Sequence, residues 1–273
     1  MKYYKDLFNL EEKTILVAGG AGQIGFSFCT ILADAGAKVI ILDIDQELAV
    51  QKLHAFQDEE IKSKIYSYYL DVEDKSQIHK VLLQISKEHP IIYGLVNAFH
   101  FKGSTRKLDI QSNFFSDFEH YPEDAWDKVH DVNLKGTFLL SQAIIPYFKQ
   151  NKQGVIVNIS SSYGNVSANK NIYGTSGINS PVAYASSKAA IINLTRYMAT
   201  HLADDNIRVN CLSPGGVFNN QTDEFVKNYK ALTPLKRMAN PEDYQGAILF
   251  LMSNASSYMT GANLIIDGGW TAW

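Results

Sequence analysis

Tyr184 and Lys188 stand four residues apart in the run Tyr184-Ala185-Ser186-Ser187-Lys188. On a helix that spacing puts both side chains on one face. A tyrosine serves as general acid or base only if its pKa of about 10 moves toward neutrality. Bringing it to about 7 takes about 4 kcal/mol. An ammonium about 4 Å away supplies about that much at an effective dielectric near 20. The pair is therefore sufficient for proton transfer, although the same spacing is common on surface helices.

A second constellation is Ala18-Gly19-Gly20-Ala21-Gly22-Gln23-Ile24-Gly25. Its glycines permit a tight turn, a close backbone approach to a pyrophosphate and close helix–strand packing. An apolar strand pattern precedes it and a helical pattern follows, so a helix N-terminus faces any phosphate bound there. The second strand pattern ends in Asp43, whose carboxylate can accept hydrogen bonds from adenosine ribose hydroxyls and repel a 2′-phosphate. Neither the turn nor Ile44 supplies a base to neutralise such a phosphate, which points to NAD as cofactor; Asp45 is the alternative carboxylate.

The elements that must position these groups alternate along the chain. Strand patterns cover Thr14–Ala18, Lys38–Asp43, Ile65–Leu70, Ile92–Asn97, Val155–Ser160, Ile207–Leu212 and Asn263–Ile266. Helical patterns cover Gln23–Ala35, Gln46–Glu60, Asp74 to Glu88, Pro122 to Gln150 and Pro181 to Ala203, with a further start at Asn240-Pro241. This alternation predicts an α/β fold: a Rossmann-type, doubly wound, parallel seven-stranded sheet with helices on both faces. With no linker or repeat, residues 1–273 read as a single dinucleotide-binding and catalytic domain. Two long segments, Phe99–Tyr121 and Ser162–Ser180, follow strand carboxyl ends, where open α/β sheets bind ligands.

Composition narrows the function. With 46% hydrophobic and 19% charged residues the chain is an ordinary globular one, and a net charge of −3 argues against nucleic acid as partner. Cys29 and Cys211 read as buried free thiols in a reduced compartment. No signal-peptide pattern or membrane-length apolar run is seen, so a cytoplasmic protein is expected. The seven histidines show no metal-ligand spacing, no metal is expected, and His100 reads as a loop residue.

The glycine turn is followed in order by Asp71-Val72, Val96-Asn97-Ala98, Asn133-Leu134-Lys135-Gly136, Asn158-Ile159-Ser160-Ser161, Tyr184-x-x-x-Lys188, Ser213-Pro214-Gly215 and Asp267-Gly268-Gly269. This succession, from about Glu12 to Trp270, closely resembles the short-chain dehydrogenase/reductase family in its compact branch. The resemblance implies a hydride transfer between a nicotinamide and a hydroxyl or keto carbon. It implies Tyr184 as acid/base and Ser161 as hydrogen-bond partner of the substrate oxygen, with Ser160 and Ser162 as rivals. Lys188 would bind the nicotinamide ribose and depress the tyrosine pKa, and Asn133 would hold the water of a proton relay. Gly19, Gly22, Gln23, Ile24, Gly25 and Asp43 would contact the cofactor. So would Asp71 and Val72 at the adenine, Asn97 and Ala98 at the adenosine side, and Pro214, Gly215 and Val217 at the nicotinamide. Helices 122–150 and 181–203 would pack against further copies in a homotetramer or homodimer.

Three features depart from the family pattern: Gln23 in place of the middle glycine, Phe99 in place of a glycine, and the length of both substrate-side loops. Asn165, Ser167, Asn169, Lys170, Asn171, Tyr173, Ser176 and Asn179, with Lys102, Arg106 and Lys107, suggest a polar or anionic small-molecule substrate. The segment Ser213–Asn220, followed by Leu232-Thr233-Pro234-Leu235, is similar to family members from bacterial surface-sugar biosynthesis. A sugar or sugar derivative is the expected substrate. The alternatives are a 3-oxoacyl-thioester reductase using NADPH, an epimerase-like enzyme with no net cofactor reduction, and a non-catalytic dinucleotide-binding sensor.

Overall fold

A computed structural model describes residues 4–101, 103, 114–176 and 180–273. Seven strands form one parallel sheet: β1 (Thr14–Ala18), β2 (Lys38–Asp43), β3 (Ile65–Tyr69), β4 (Ile92–Asn97), β5 (Gly154–Ile159), β6 (Ile207–Pro214) and β7 (Asn263–Ile266). Their order is β3-β2-β1-β4-β5-β6-β7. The winding reverses between β1 and β4, which opens a crevice at the carboxyl ends of those strands. The central strands are apolar on both faces because helices cover both. β1 sends Ile15 and Val17 to one core and Leu16 to the other, and β2 divides Val39 and Ile41 from Ile40 in the same way.

The helices are α1 (Tyr4–Phe8), α2 (Gln23–Asp34), α3 (Gln46–Ala55), α4 (Glu59–Lys62), α5 (Lys75–Glu88), α6 (Glu123–His130), α7 (Thr137–Asn151), α8 (Val182–His201), α9 (Asp223–Leu232) and α10 (Gln245–Met252). The helix expected over Gln46–Glu60 is two. Phe56 leaves α3 in an extended conformation and packs edge-on against Phe26. Asp58 then caps α4 by accepting from the Ile61 amide at 3.0 Å. The long helix expected from Pro122 is continuous, but Asp131–Gly136 between α6 and α7 is a π turn. Such single turns inside helices often mark functional sites.

Helix α9 lies outside the elements expected from sequence. Its signal was present: Thr222 accepts from the Phe225 amide at 3.3 Å, and Asp223 and Glu224 fill the first turn. Cys29 and Cys211 are free and buried, and burial pushes both thiols up, Cys211 to about 11. Among the described residues, no helix is long and apolar enough to cross a membrane.

Candidate active site

The crevice between β1 and β4 widens into a cleft of about 650 Å³. Its inner end is built from backbone. Gly19 has φ +79°, a left-handed conformation that a side chain would strain, and a Cβ there would lie 2.6 Å from the Phe99 amide nitrogen. A Cβ on Gly25 would lie 2.1 Å from the Gly19 carbonyl oxygen, so the turn and the first turn of α2 close on each other only without side chains. Gly19, Gly22, Gln23, Ile24 and Gly25 all line the cleft.

Asp43 accepts from the Ala21 amide at 2.9 Å and from the Asp45 amide at 2.9 Å, which ties the end of β2 to the glycine turn. Asp45 caps α3 by accepting from Leu48 at 3.1 Å. Asp43, Asp71, Val72 and Ala98 line the same end of the cleft. This shape, with the N-terminus of α2 on one side and carboxylates beyond, fits a dinucleotide.

Four positions carry details the sequence left unread. Gln23, standing where the family has glycine, donates from Nε2 to the Phe218 carbonyl at 2.8 Å and so joins the glycine turn to the segment after β6. Lys52 of α3 reaches the Gly22 carbonyl at 3.2 Å, so a base does approach the turn from outside the local sequence. Asn97 lies under the cleft rather than in its wall: its Nδ2 donates to Ser141 at 3.1 Å and to Asn158 at 2.8 Å. Phe99 lines the cleft and packs against the core with Val72.

Beyond the glycine turn, β5 and α8 bring Ser161, Tyr184 and Lys188 together. All three line the cleft, and the Ser161 Oγ accepts from the Tyr163 amide at 3.1 Å. Ser160 donates to the Lys188 carbonyl at 2.7 Å and is thereby occupied, while Ser162 also lines the cleft. Lys188 is buried; its Nζ donates to the Ile159 carbonyl at 2.8 Å and sits 5.7 Å from the Tyr184 ring centre.

Electrostatics at this pair differ from the sequence expectation. Burial pushes the Tyr184 hydroxyl up, with the Ser161 hydrogen bond opposing, and burial brings Lys188 down to about 8. Desolvation thus acts on both partners and outweighs the expected pull of the ammonium on the phenol. Asn133, in the π turn, is fully buried. It accepts from the Phe101 amide at 2.8 Å and donates to Ser187 at 3.0 Å, one residue before Lys188. Pro214, Gly215 and Val217 line the cleft beside Lys188.

The outer end of the cleft is aromatic. Tyr163, Tyr173, Phe225 and Tyr229 line it, and Trp270 backs it, stacked on Tyr229 at 4.4 Å. Tyr229 also accepts from the Gly216 amide at 2.6 Å. His100 lines the cleft with its ring edge-on to Tyr184 at 5.8 Å, so it is more than a surface loop residue.

Of the loop residues expected to face substrate, Tyr173 does. Asn165, Ser167, Lys170, Asn171 and Ser176 are exposed and outside the cleft wall. Several of these polar groups serve the backbone: Asn169 accepts from the Asn171 amide, and Ser176 donates to the Tyr173 carbonyl. Lys102, Arg106, Lys107 and Asn179 lie outside the described residues. Lys188 is the one lysine or arginine in the described cleft wall.

Residues 19–271 match a family model described as enoyl-(acyl carrier protein) reductase. The chain belongs to the short-chain dehydrogenase/reductase family. It is 36% identical to a 3-oxoacyl-[acyl-carrier-protein] reductase of Thermotoga maritima, over 95% of this chain and 98% of that one. It is 32% identical to an NADH-dependent L-xylulose reductase of Ambrosiozyma monospora, over the whole of both chains. A short-chain dehydrogenase from Leptospira borgpetersenii, solved with bound NAD+, superposes with a TM-score of 0.84 at 36% identity, covering 99% of this chain and 96% of that one. This short-chain dehydrogenase/reductase is an oxidoreductase that uses a nicotinamide dinucleotide on alcohol or keto groups.

Proposed function

We propose that residues 1–273 act as one domain that uses NAD to oxidise or reduce a hydroxyl or keto carbon of a sugar or sugar derivative. The observation that carries this reading is the placement of Ser161, Tyr184 and Lys188 together in one cleft wall, between a dinucleotide cradle and a pocket walled by aromatic rings and hydroxyls. Aromatic faces pack against the C–H faces of a sugar while phenol and serine hydroxyls pair with its oxygens. Among the described residues Lys188 is the one lysine or arginine of the wall, which favours a neutral substrate over an anionic one. The kinship with a xylulose reductase points the same way.

A bound nicotinamide supplies the hydride acceptor or donor. Ser161 and Tyr184 hold the substrate oxygen, and Tyr184 takes its proton as the carbon becomes a carbonyl, or returns it in the opposite direction. Lys188 favours the ionised phenol during that exchange and is held by the Ile159 carbonyl. Asn133 fixes the start of α8 through Ser187 and is the proposed anchor of a proton path to solvent. Asp43 reads the adenosine ribose. Exposed Trp126, Phe138 and Tyr197, on α6, α7 and α8, support assembly into a homodimer or homotetramer. The buried free thiols suit a reducing, cytoplasmic setting.

A second reading, a 3-oxoacyl-thioester reductase, is favoured by the Thermotoga relative. One experiment separates the two: titration with NADH and NADPH followed by nicotinamide fluorescence, then turnover of pentoses, polyols and acetoacetyl thioesters. Tighter NADH binding, weakened about tenfold in Asp43→Ala, with turnover of polyols is the expected result. Tighter NADPH binding with turnover of the thioester alone overturns the proposal.

A further inference from the structure

Gln23 is the first residue of α2 and stands where the family pattern has glycine, so its side chain is an addition to the cradle. Its Nε2 donates to the Phe218 carbonyl at 2.8 Å, between residues 195 positions apart in the chain. Gln23 lines the cleft, and so do Val217 and Asn219, the two neighbours of Phe218. The bond therefore joins one wall of the cleft to another, and it does so on the exposed side.

The segment it holds has a shape of its own. The Phe218 amide donates to the Ala239 carbonyl at 3.0 Å, and the Ala239 amide donates to the Gly216 carbonyl at 3.0 Å. Gln221 spans the following turn: its Nε2 donates to the Val217 carbonyl at 3.1 Å and its Oε1 accepts from the Asn219 amide at 2.7 Å. None of these bonds involves Gln23, so the segment can part from the glycine turn without unravelling. A dinucleotide reaching from Asp43 and Asp71 to Pro214 and Val217 passes the N-terminus of α2 on its way, between the walls that Gln23 ties together.

We infer that Gln23 is a positioning residue that clasps the glycine turn to residues 217–221 over the cofactor path, so that its bond must open before a dinucleotide enters or leaves. The inference rests on the cofactor cradle and is independent of the sugar reading. An exposed hydrogen bond of modest net strength opens by thermal motion. A clasp that closes equally well with and without cofactor slows entry and exit by the same factor and leaves Kd where it was. A direct contact from Gln23 to the cofactor would act on exit alone.

The test is stopped-flow nicotinamide fluorescence on the full chain, with NADH mixed in and then chased out, or NADPH should that bind tighter. Wild type, Gln23→Met, Gln23→Gly and Phe218→Ala are compared, with the melting temperature as the check on folding. Gln23→Met keeps the length of the side chain and loses the donor. It should raise the association and dissociation rates together, about three- to tenfold, and leave Kd unchanged. Phe218→Ala removes a ring that is exposed and outside the cleft lining but keeps the accepting carbonyl, so its rates should match wild type.

Unchanged rates in Gln23→Met overturn the inference, and so does a faster exit with no faster entry, which would make Gln23 a direct contact. Rates in Phe218→Ala that follow those of Gln23→Met overturn it too, because the carbonyl is still in place. If Gln23→Met does not fold, Gln23→Gly decides. The family pattern has glycine there, the same rise in both rates is expected, and unchanged rates overturn the clasp. These outcomes leave the sugar reading intact, whereas a wild type that binds neither dinucleotide sinks the cradle, the clasp and the proposed function together.

Discussion

The two ends of the cleft are made of different material. The inner end is backbone: the left-handed Gly19, the contact between Gly25 and the Gly19 carbonyl, and an amide of the turn held by Asp43. The outer end is side chain: Tyr163 and Tyr173 from the segment after β5, Phe225 and Tyr229 from α9, and Trp270 from beyond β7. A cradle of backbone leaves little room for variation, because nearly any Cβ collides with it. A wall of rings from three separate segments can be altered one ring at a time without touching the cradle. On the proposed reading, cofactor binding and substrate choice are thus carried by parts that can change independently.

That separation is open to direct attack. Tyr184→Phe carries the largest expected effect: kcat should fall by about 10² to 10⁴ with NADH affinity unchanged, read by turnover and by fluorescence titration. A parallel loss of NADH affinity would erase the distinction between the two ends.

Gly25→Ala comes next. Its Cβ must displace the Gly19 carbonyl, so the turn opens, and overpacking of this kind costs about 1–3 kcal/mol. NADH affinity should drop at least tenfold and the melting temperature should fall, whereas normal affinity would show that the turn is merely structural.

The smallest effect is on stability, and it lies where the two ends meet. Lys188 is lowered from 10.5 to about 8 by burial, so between those values the folded chain binds fewer protons at this site than the unfolded chain. The Lys188 contribution to stability therefore grows as pH rises through that window and is lost again as pH falls through about 8. Urea unfolding of wild type and Lys188→Met at several pH values should show this rise in wild type and its loss in the variant. Equal slopes would mean that Lys188 titrates as an ordinary exposed lysine.

Legibility followed the same division. Strands β1, β2, β4 and β7 have the bounds expected from their apolar runs; for β1, β2 and β4 burial on both faces leaves a continuous signature. The glycine turn and Asp43 were legible because contiguous residues and one strand end define them. Helix α9 was not, although Thr222 and the acidic first turn announced it, because its apolar stripe is short. The exposed Asn165, Lys170 and Asn171 were read as substrate contacts on polarity alone; polar loop residues also satisfy turns, and which task each performs depends on where the loop folds back. His100 carried no periodicity or motif, and only its position beside Tyr184 gives it meaning.

By itself, the sequence determined the order of strands and helices, the glycine turn and the four-residue spacing of Tyr184 and Lys188. Each of these depends on local backbone preference or on residues one helical turn apart. Tertiary structure alone decided the balance of charge at Tyr184 and Lys188, the burial of Asn97 beneath the cleft and the ring of aromatics around its mouth. Desolvation and side-chain contact depend on what lies across space: Lys188 is buried by β5 and the carbonyl of Ile159, 29 residues away in the chain.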